Sequence, residues 1–330
     1  MNLLEKIKPA YVLIILLSLI SQRFIYNEVL YPELEWRIES LHSALKGEIK
    51  SPYQYRILKP LVSTSMDKAL TPLISDQTER YKFIFKFLLF FGFFFLYFVY
   101  YHFLKNFYSD TTAIIGLLLL QTAIPLTITD NCWEEGDVIT LFFCLLAFYC
   151  MFKQKDYFIP LVIGIGTLNR EQTIFFLVFY AAYLYEQKRL FTLKSTGIMV
   201  TSGVLYFMVY FGLRMYFGYK PNQYISTGIP AANLSHWTSI LRLWVEQVLM
   251  FVIASVIVYK RSRLFFRLSI LCLIPFTILF FLYGVMGELG KYLPALLILI
   301  TVSLQMLRGE YTISGKKEMH DPAKARLKFM

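Results

Sequence analysis

Long uninterrupted apolar runs constrain this chain more than any other feature. Phe83 to Leu104, Ile198 to Phe217 and Tyr292 to Leu307 are each almost free of charge. A stretch of about 18 or more mostly apolar residues is what a helix needs to cross the hydrocarbon core of a bilayer. In lipid the backbone finds no water to bond, so such runs must be helical. The composition agrees: 57% of the 330 residues are hydrophobic and only 17% are charged, against roughly 45–50% and about 25% in soluble domains. The sequence therefore predicts an all-α, polytopic transmembrane bundle.

Ten membrane-entering segments are expected, at about 10–30, 82–104, 111–129, 137–152, 157–168, 171–186, 196–217, 243–259, 267–285 and 290–307. They form one core over 1–308, followed by a polar tail over 309–330. The first run has no small-residue cleavage site after it and reads as a retained span. The net charge of +11 does not point to nucleic acid, because the basic residues fall in short loops between the runs. Basic loops beside spans orient a membrane protein with those loops in the cytoplasm, where they also meet anionic lipid. Lys6 and Lys8, Lys153 and Lys155, Lys188 with Arg189 and Lys194, Lys260 to Arg267, and the tail lysines all carry this signal. Both termini are then cytoplasmic.

The stretch from Tyr157 to Tyr185 tests that scheme, since basic loops flank both of its ends. One long crossing would place one of those loops outside. A short hairpin broken near Asn169-Arg170-Glu171 keeps both inside, with irregular backbone tolerated only where protein or a polar cavity surrounds it. The outer side then receives 31–81, 130–136, the 169–171 tip, 218–242 and 286–291. The longest of these, 31–81, holds the mixed segment Ile57 to Leu73, which suits a helix lying in the interface.

Ionisable groups at or in lipid cost about 2.5–3.5 kcal/mol each on insertion scales, and five groups of them gather on this outer face. They contain Glu33 and Glu35, Arg56 and Lys59, Glu134 and Asp137, Asn169 with Arg170 and Glu171, and Glu288 with Lys291. Carboxylates can act as general bases or hold a divalent cation. Arginine and lysine can neutralise phosphate oxygens. Plainer readings stand beside these. Arg170 and Glu171 are adjacent and cannot pair on one helix, so each needs another partner, in a functional cavity or in a structural ion pair. Asp137 suits a helix N-terminus, Arg56 and Lys59 can snorkel, and Glu288 and Lys291 have the spacing of a helical salt bridge. The glutamates of the first loop can be a solvated surface. His42, His102, His236 and His320 lack metal-ligand spacing, no nucleotide-binding motif occurs, and Cys132, Cys144, Cys150 and Cys272 form no C-x-x-C pair.

Three ordered motifs carry a resemblance. Pro52-Tyr53-Gln54-Tyr55-Arg56-Ile57-Leu58-Lys59-Pro60 closes the first outer loop, Gly166-Thr167-Leu168-Asn169-Arg170-Glu171-Gln172-Thr173 forms the tip, and Glu288 precedes a Pro294-containing last span. Together they resemble bacterial membrane glycosyltransferases of the GT-C type. The resemblance implies an inner-membrane protein with an extracytoplasmic active site, a polyprenyl-phosphate-linked sugar donor and an inverting single displacement. It assigns the catalytic base to an acid of the first outer loop, where Glu35 stands nearest, with Glu33 and Glu39 behind. Arg170, Arg56 and Lys291 would hold the lipid phosphate, and Glu134, Asp137, Asn169, Glu171 and Glu288 would shape the sugar or cation site. A lipid-linked saccharide transporter and a non-catalytic assembly subunit remain as other readings of the same charges.

Overall fold

The computed structural model describes residues 9–128, 135–221 and 228–308. Every regular element among them is helical. In chain order the α-helices are α1 (Pro9–Ile25), α2 (Leu34–Lys46), α3 (Leu58–Leu70), α4 (Gln77–Leu104) and α5 (Asp110–Thr127). Then come α6 (Glu135–Phe152), α7 (Ile159–Asn169), α8 (Phe176–Glu186) and α9 (Leu193–Phe217). The last are α10 (Ile229–Ser235), α11 (Trp237–Gln247), α12 (Leu249–Val258), α13 (Leu264–Tyr283) and α14 (Leu293–Ser303). Each of the ten expected segments is met by a helix.

Six helical stretches are long and apolar enough to cross a bilayer, or seven if the pair α11 and α12, bent by 56°, is one span. This is the build of a multi-pass membrane protein. Side-chain caps start the long helices: the Asp76 carboxylate accepts from the Glu79 N–H at 2.9 Å, and Ser109 and Thr192 do the same for α5 and α9. Each cap satisfies a backbone donor that has no partner within its own helix.

The connection after the first apolar run begins later than the sequence suggests. Helical backbone continues from Pro9 to Lys46, through a π-helical turn at Tyr26–Leu30 and a 3-10 turn at Tyr31–Glu33. Pro32 is compatible because its missing N–H falls in a first turn, where no helical bond is lost. Gly47, at φ 81°, then ends α2 in the left-handed conformation that glycine adopts freely. The expected helix over 57–73 is α3. It lies against α2 and α4 and is tied to the start of α4 by the Arg80–Asp67 ion pair at 2.5 Å.

The hairpin is present. Arg170 interrupts the stretch in an extended conformation, φ −155° and ψ 140°, between α7 and a 3-10 turn that leads into α8. The two ends of the hairpin meet far from this tip. The Asp156 carboxylate accepts from Tyr180 Oη and from Arg189, both at 3.3 Å, and Gln154 donates to Tyr183 Oη at 3.2 Å. Burial pushes the Asp156 carboxyl up from its ordinary pKa, and the Arg189 guanidinium opposes that rise. The loops bearing Lys153, Lys155, Lys188 and Arg189 therefore share one end of the bundle. Arg263, paired with Glu186 at 3.0 Å, joins them there. Lys6, Lys8 and the tail over 309–330 lie outside the described residues.

Helix α14 is the centre. It is buried along its length against α5, α6, α12 and α13. Its backbone also takes hydrogen bonds from outside, Tyr108 Oη to Thr301 O at 2.6 Å and Ser255 Oγ to Leu299 O at 3.1 Å. In contrast α9 shows Val204, Phe207, Met208 and Phe211 outward, the face expected for lipid contact. Cys144 and Cys150 are buried free thiols, and Cys132 lies outside the described residues.

Single cysteines placed at Lys155 and Lys188, both exposed, should react with a membrane-impermeant thiol reagent from the same side of the bilayer. A cysteine at Tyr219, 79% exposed near the opposite end, should react from the other side. Labelling of 155 and 188 from opposite sides would rule out the hairpin.

Candidate functional site

The broken tip at Arg170 organises the end of the bundle opposite the basic loops. A helix break leaves backbone polar groups open, and within a membrane protein these must be met by protein. Thr173 Oγ1 donates to Arg170 O at 3.1 Å. The Asn169 side-chain amide donates to Gly136 O and to Thr140 Oγ1, both at 2.9 Å, which ties the end of α7 to the first turns of α6. Gly166 is part of the same joint, since an added Cβ would sit 2.8 Å from Thr173 Cγ2.

Charge is placed with the same economy. Arg170 is 4% exposed, and its Nη1 lies 3.0 Å from the Asp137 carboxylate, itself only 1% exposed. Asp137 thus sits in the first turn of α6 as the counter-ion of Arg170 rather than as a solvated cap. Glu171 turns the other way, to Arg214 on α9 at 3.4 Å. The two adjacent residues have separate partners on separate helices. Glu288 and Lys291 pair across the 3-10 turn Leu289–Tyr292. That turn presses on α6 and on the end of α5: a Cβ on Gly290 would lie 3.0 Å from Asp137 Oδ2 and 3.2 Å from the Thr127 carbonyl.

Arg170, Glu171, Arg214 and Lys291 border a cavity of about 460 Å³. Its wall carries Arg56, Arg170, Arg214, Lys220 and Lys291, with Glu171 as the acid among the described lining residues. Tyr206, Tyr210 and Gln172 share it with the aromatic ring of Phe280. A small space of about 30 Å³ behind it touches Arg37, Arg56, Asn169 and Arg170. On the far side of the Leu289–Tyr292 turn lies a slot of about 360 Å³, walled by Val248, Val252, Ile274, Leu296 and Leu299. Lys291 borders the ionic cavity and its neighbour Tyr292 borders the apolar slot.

The sequence-derived site is brought together in large part. Arg56, Arg170, Glu171 and Lys291 line the main cavity. Asp137 and Glu288 stand behind it as partners of lining cations. Asn169 reaches only the small rear space and works as a tie between helices. Glu35 is not brought in. It is exposed on α2 and borders neither cavity, as is true of Glu33 and Glu39. The α2 helix turns Arg37, Ser40 and Ala44 inward instead. Glu134 lies outside the described residues. Among the described residues no three His, Cys, Asp or Glu side chains are grouped as a metal ion would require.

Comparison with protein-family models, curated proteins and solved structures gave no match. The site is therefore read from its own chemistry.

Two cations of the cavity were absent from the sequence-derived set. Arg214 is held between aromatic rings, its guanidinium 3.4 Å from the Tyr210 centroid and 4.2 Å from that of Tyr55. Lys220 Nζ donates to Gly47 O at 2.5 Å and Ile49 O at 3.2 Å. Tyr55 Oη accepts from the Lys220 N–H and donates to Gly218 O, both at 2.9 Å, so the two loops close on each other. A signal for Arg214 exists in the sequence, because it is the one charged residue between 196 and 217 and intramembrane charge marks function. Lys220 carries no such signal in a loop.

Asp137→Asn should destabilise the protein by about 3–5 kcal/mol, the cost of leaving a buried partner charge uncompensated. Its melting temperature in detergent should fall well below that of the double variant Asp137→Asn with Arg170→Gln. Gly290→Ala should also lower the melting temperature, by the roughly 1–3 kcal/mol of an overpacked contact, since the facing Thr127 carbonyl is backbone. An unchanged melting curve for Gly290→Ala would mean that the turn does not press on α5 and α6 as described.

Proposed function

We propose that this chain is a membrane glycosyltransferase of the GT-C type, acting on a polyprenyl-phosphate-linked sugar at the extracytoplasmic face. The carrying observation is a cation-lined cavity beside a hydrocarbon-lined slot, with Lys291 and Tyr292 of one turn facing the two spaces. An anionic headgroup on a long apolar chain is the ligand that fits both at once. In this reading the protein resides in a bacterial inner membrane with both termini cytoplasmic, and the gathering of the basic loops at the end remote from the cavity supports that orientation.

The chemistry follows from which groups reach the cavity. The acceptor hydroxyl loses its proton to a carboxylate as its oxygen bonds to the anomeric carbon. On the opposite face the bond from that carbon to the lipid phosphate breaks, and the phosphate leaves with the electron pair. Arg56, Arg170 and Lys291 stabilise the charge that grows on the phosphate oxygens. For the base, the geometry favours Glu171 over Glu35, because a base must come within hydrogen-bond reach of the proton it removes and Glu35 stands outside the cavity.

A transporter of lipid-linked saccharides is the second reading, supported by the broken pairs α7 with α8 and α11 with α12. Discontinuous helices around a polar site are the habit of secondary transporters. Such a protein would move its cargo without making or breaking a bond.

Purified protein in nanodiscs, given a polyprenyl-phosphate hexose and an acceptor extract, should release the lipid phosphate. Glu171→Gln should lower the rate by about 10²–10⁴-fold, the range for a general base, while Glu35→Gln keeps most of it. Wild-type protein that moves labelled donor across a vesicle membrane but releases no phosphate would establish the transporter instead. Full turnover by Glu171→Gln would remove this residue as the base.

A further inference from the structure

The cations of the cavity fall into two stations with different partners. At the inner station Arg170 faces Asp137 and Lys291 faces Glu288, with Arg56 close to both cations. Arg56 has no ion pair among the described residues, and its Nε is buried without a hydrogen-bond partner. At the other station Arg214 is clamped by Tyr55 and Tyr210, and its Nη1 donates to Tyr210 O at 3.0 Å. Its contact with Glu171, at 3.4 Å, is looser than the roughly 2.7–2.9 Å of a charge-assisted bond. Lys220 is held by carbonyl oxygens and faces no carboxylate among the described residues.

A guanidinium stacked on rings loses little freedom when it binds a planar or tetrahedral anion. Lys220 without a carboxylate partner, beside an Arg214 only loosely met by Glu171, leaves positive charge in a cavity bordered by lipid-facing helices, which is costly until an anion arrives. One phosphate at the inner station leaves Lys220 unanswered and Arg214 with only its long contact to Glu171.

We infer that the substrate carries a second anionic group, bound by Arg214 and Lys220, in addition to the phosphate held by Arg56, Arg170 and Lys291. This rests on the lipid-phosphate reading above and narrows it. The second anion is either the further phosphate of a diphosphate linkage or a carboxylate on the sugar. Both present oxygens to the Arg214 fork, and their recognition uses the same bonds.

The test measures retention of radiolabelled lipids by the full-length protein in nanodiscs of neutral lipid. Three probes are compared: a polyprenyl monophosphate hexose, the diphosphate of the same hexose, and the monophosphate of the matching hexuronic acid. Wild-type protein should hold one of the two doubly anionic probes at least about tenfold more tightly than the first, and which one identifies the source of the second charge. Arg214→Gln should bring that ratio close to one. Lys220→Gln, which leaves the stacked arginine in place, should lower it in part, and melting temperatures report whether each variant is folded. Equal retention of all three probes by wild-type protein overturns the inference while leaving the lipid-phosphate reading intact. A preference that survives in folded Arg214→Gln overturns it as well. Failure to retain any probe overturns both.

Discussion

The buried pair of Asp137 and Arg170 is the interaction on which the rest of this structure turns. It joins the first turn of α6 to the break between α7 and α8, and both charges are almost wholly withdrawn from solvent. Neither could be kept in such a place alone, since an unpartnered buried charge costs several kcal/mol. Their pairing lets the chain reverse inside the bundle. It also fixes which way the adjacent residue faces, because with Arg170 committed to α6, extended backbone sends Glu171 toward α9 and Arg214. Position and polarity of the cavity wall follow from that one contact.

Charge and packing are separated along the bundle. One end gathers Asp156, Arg189, Glu186 and Arg263 around the hairpin's open ends. The other gathers the cations of the cavity. The interior is hydrocarbon and aromatic, with α14 at its centre and with Phe103 on Phe152, Phe148 on Phe265 and Phe152 on Phe265 in edge contact. Such edge-to-face pairs fill volume without polar atoms. In a membrane this packing has to supply cohesion that water supplies elsewhere, since lipid chains are as apolar as leucine. A rigid centre of this kind holds the cavity residues, which come from α7, α9, the Leu289–Tyr292 turn and the loop before α3, at fixed distances.

The cavity adjoins an apolar slot on the other side of a single turn. The proposal of a lipid-borne anion rests on that adjacency, because the phosphate and the chain of such a molecule must be bound within one reach. The loop closure between Tyr55 and Lys220 adds a cation to the cavity wall. Each of these features depends on residues distant in the chain: 55 with 220, 137 with 170, and 137 with 290.

Hydropathy and charge, both local properties, were enough to read the helical content, a multi-pass build and the break at Arg170, although six or seven of the ten expected segments have the length and apolarity of a span. They were enough because the bilayer imposes a length on every span and a cost on every stranded charge, whatever the neighbours are. The need of Arg170 and Glu171 for separate partners was legible too, from their adjacency. Which partners they found was not. Helix rotation and packing order decided that Asp137 would meet Arg170, that Arg214 and Lys220 would enter the cavity, and that Glu35 would face away from it. The same forces placed α14 in the middle although its neighbour α12 is the more apolar helix. No stretch of sequence records its own rotation about a helix axis, so these choices belong to the tertiary structure alone.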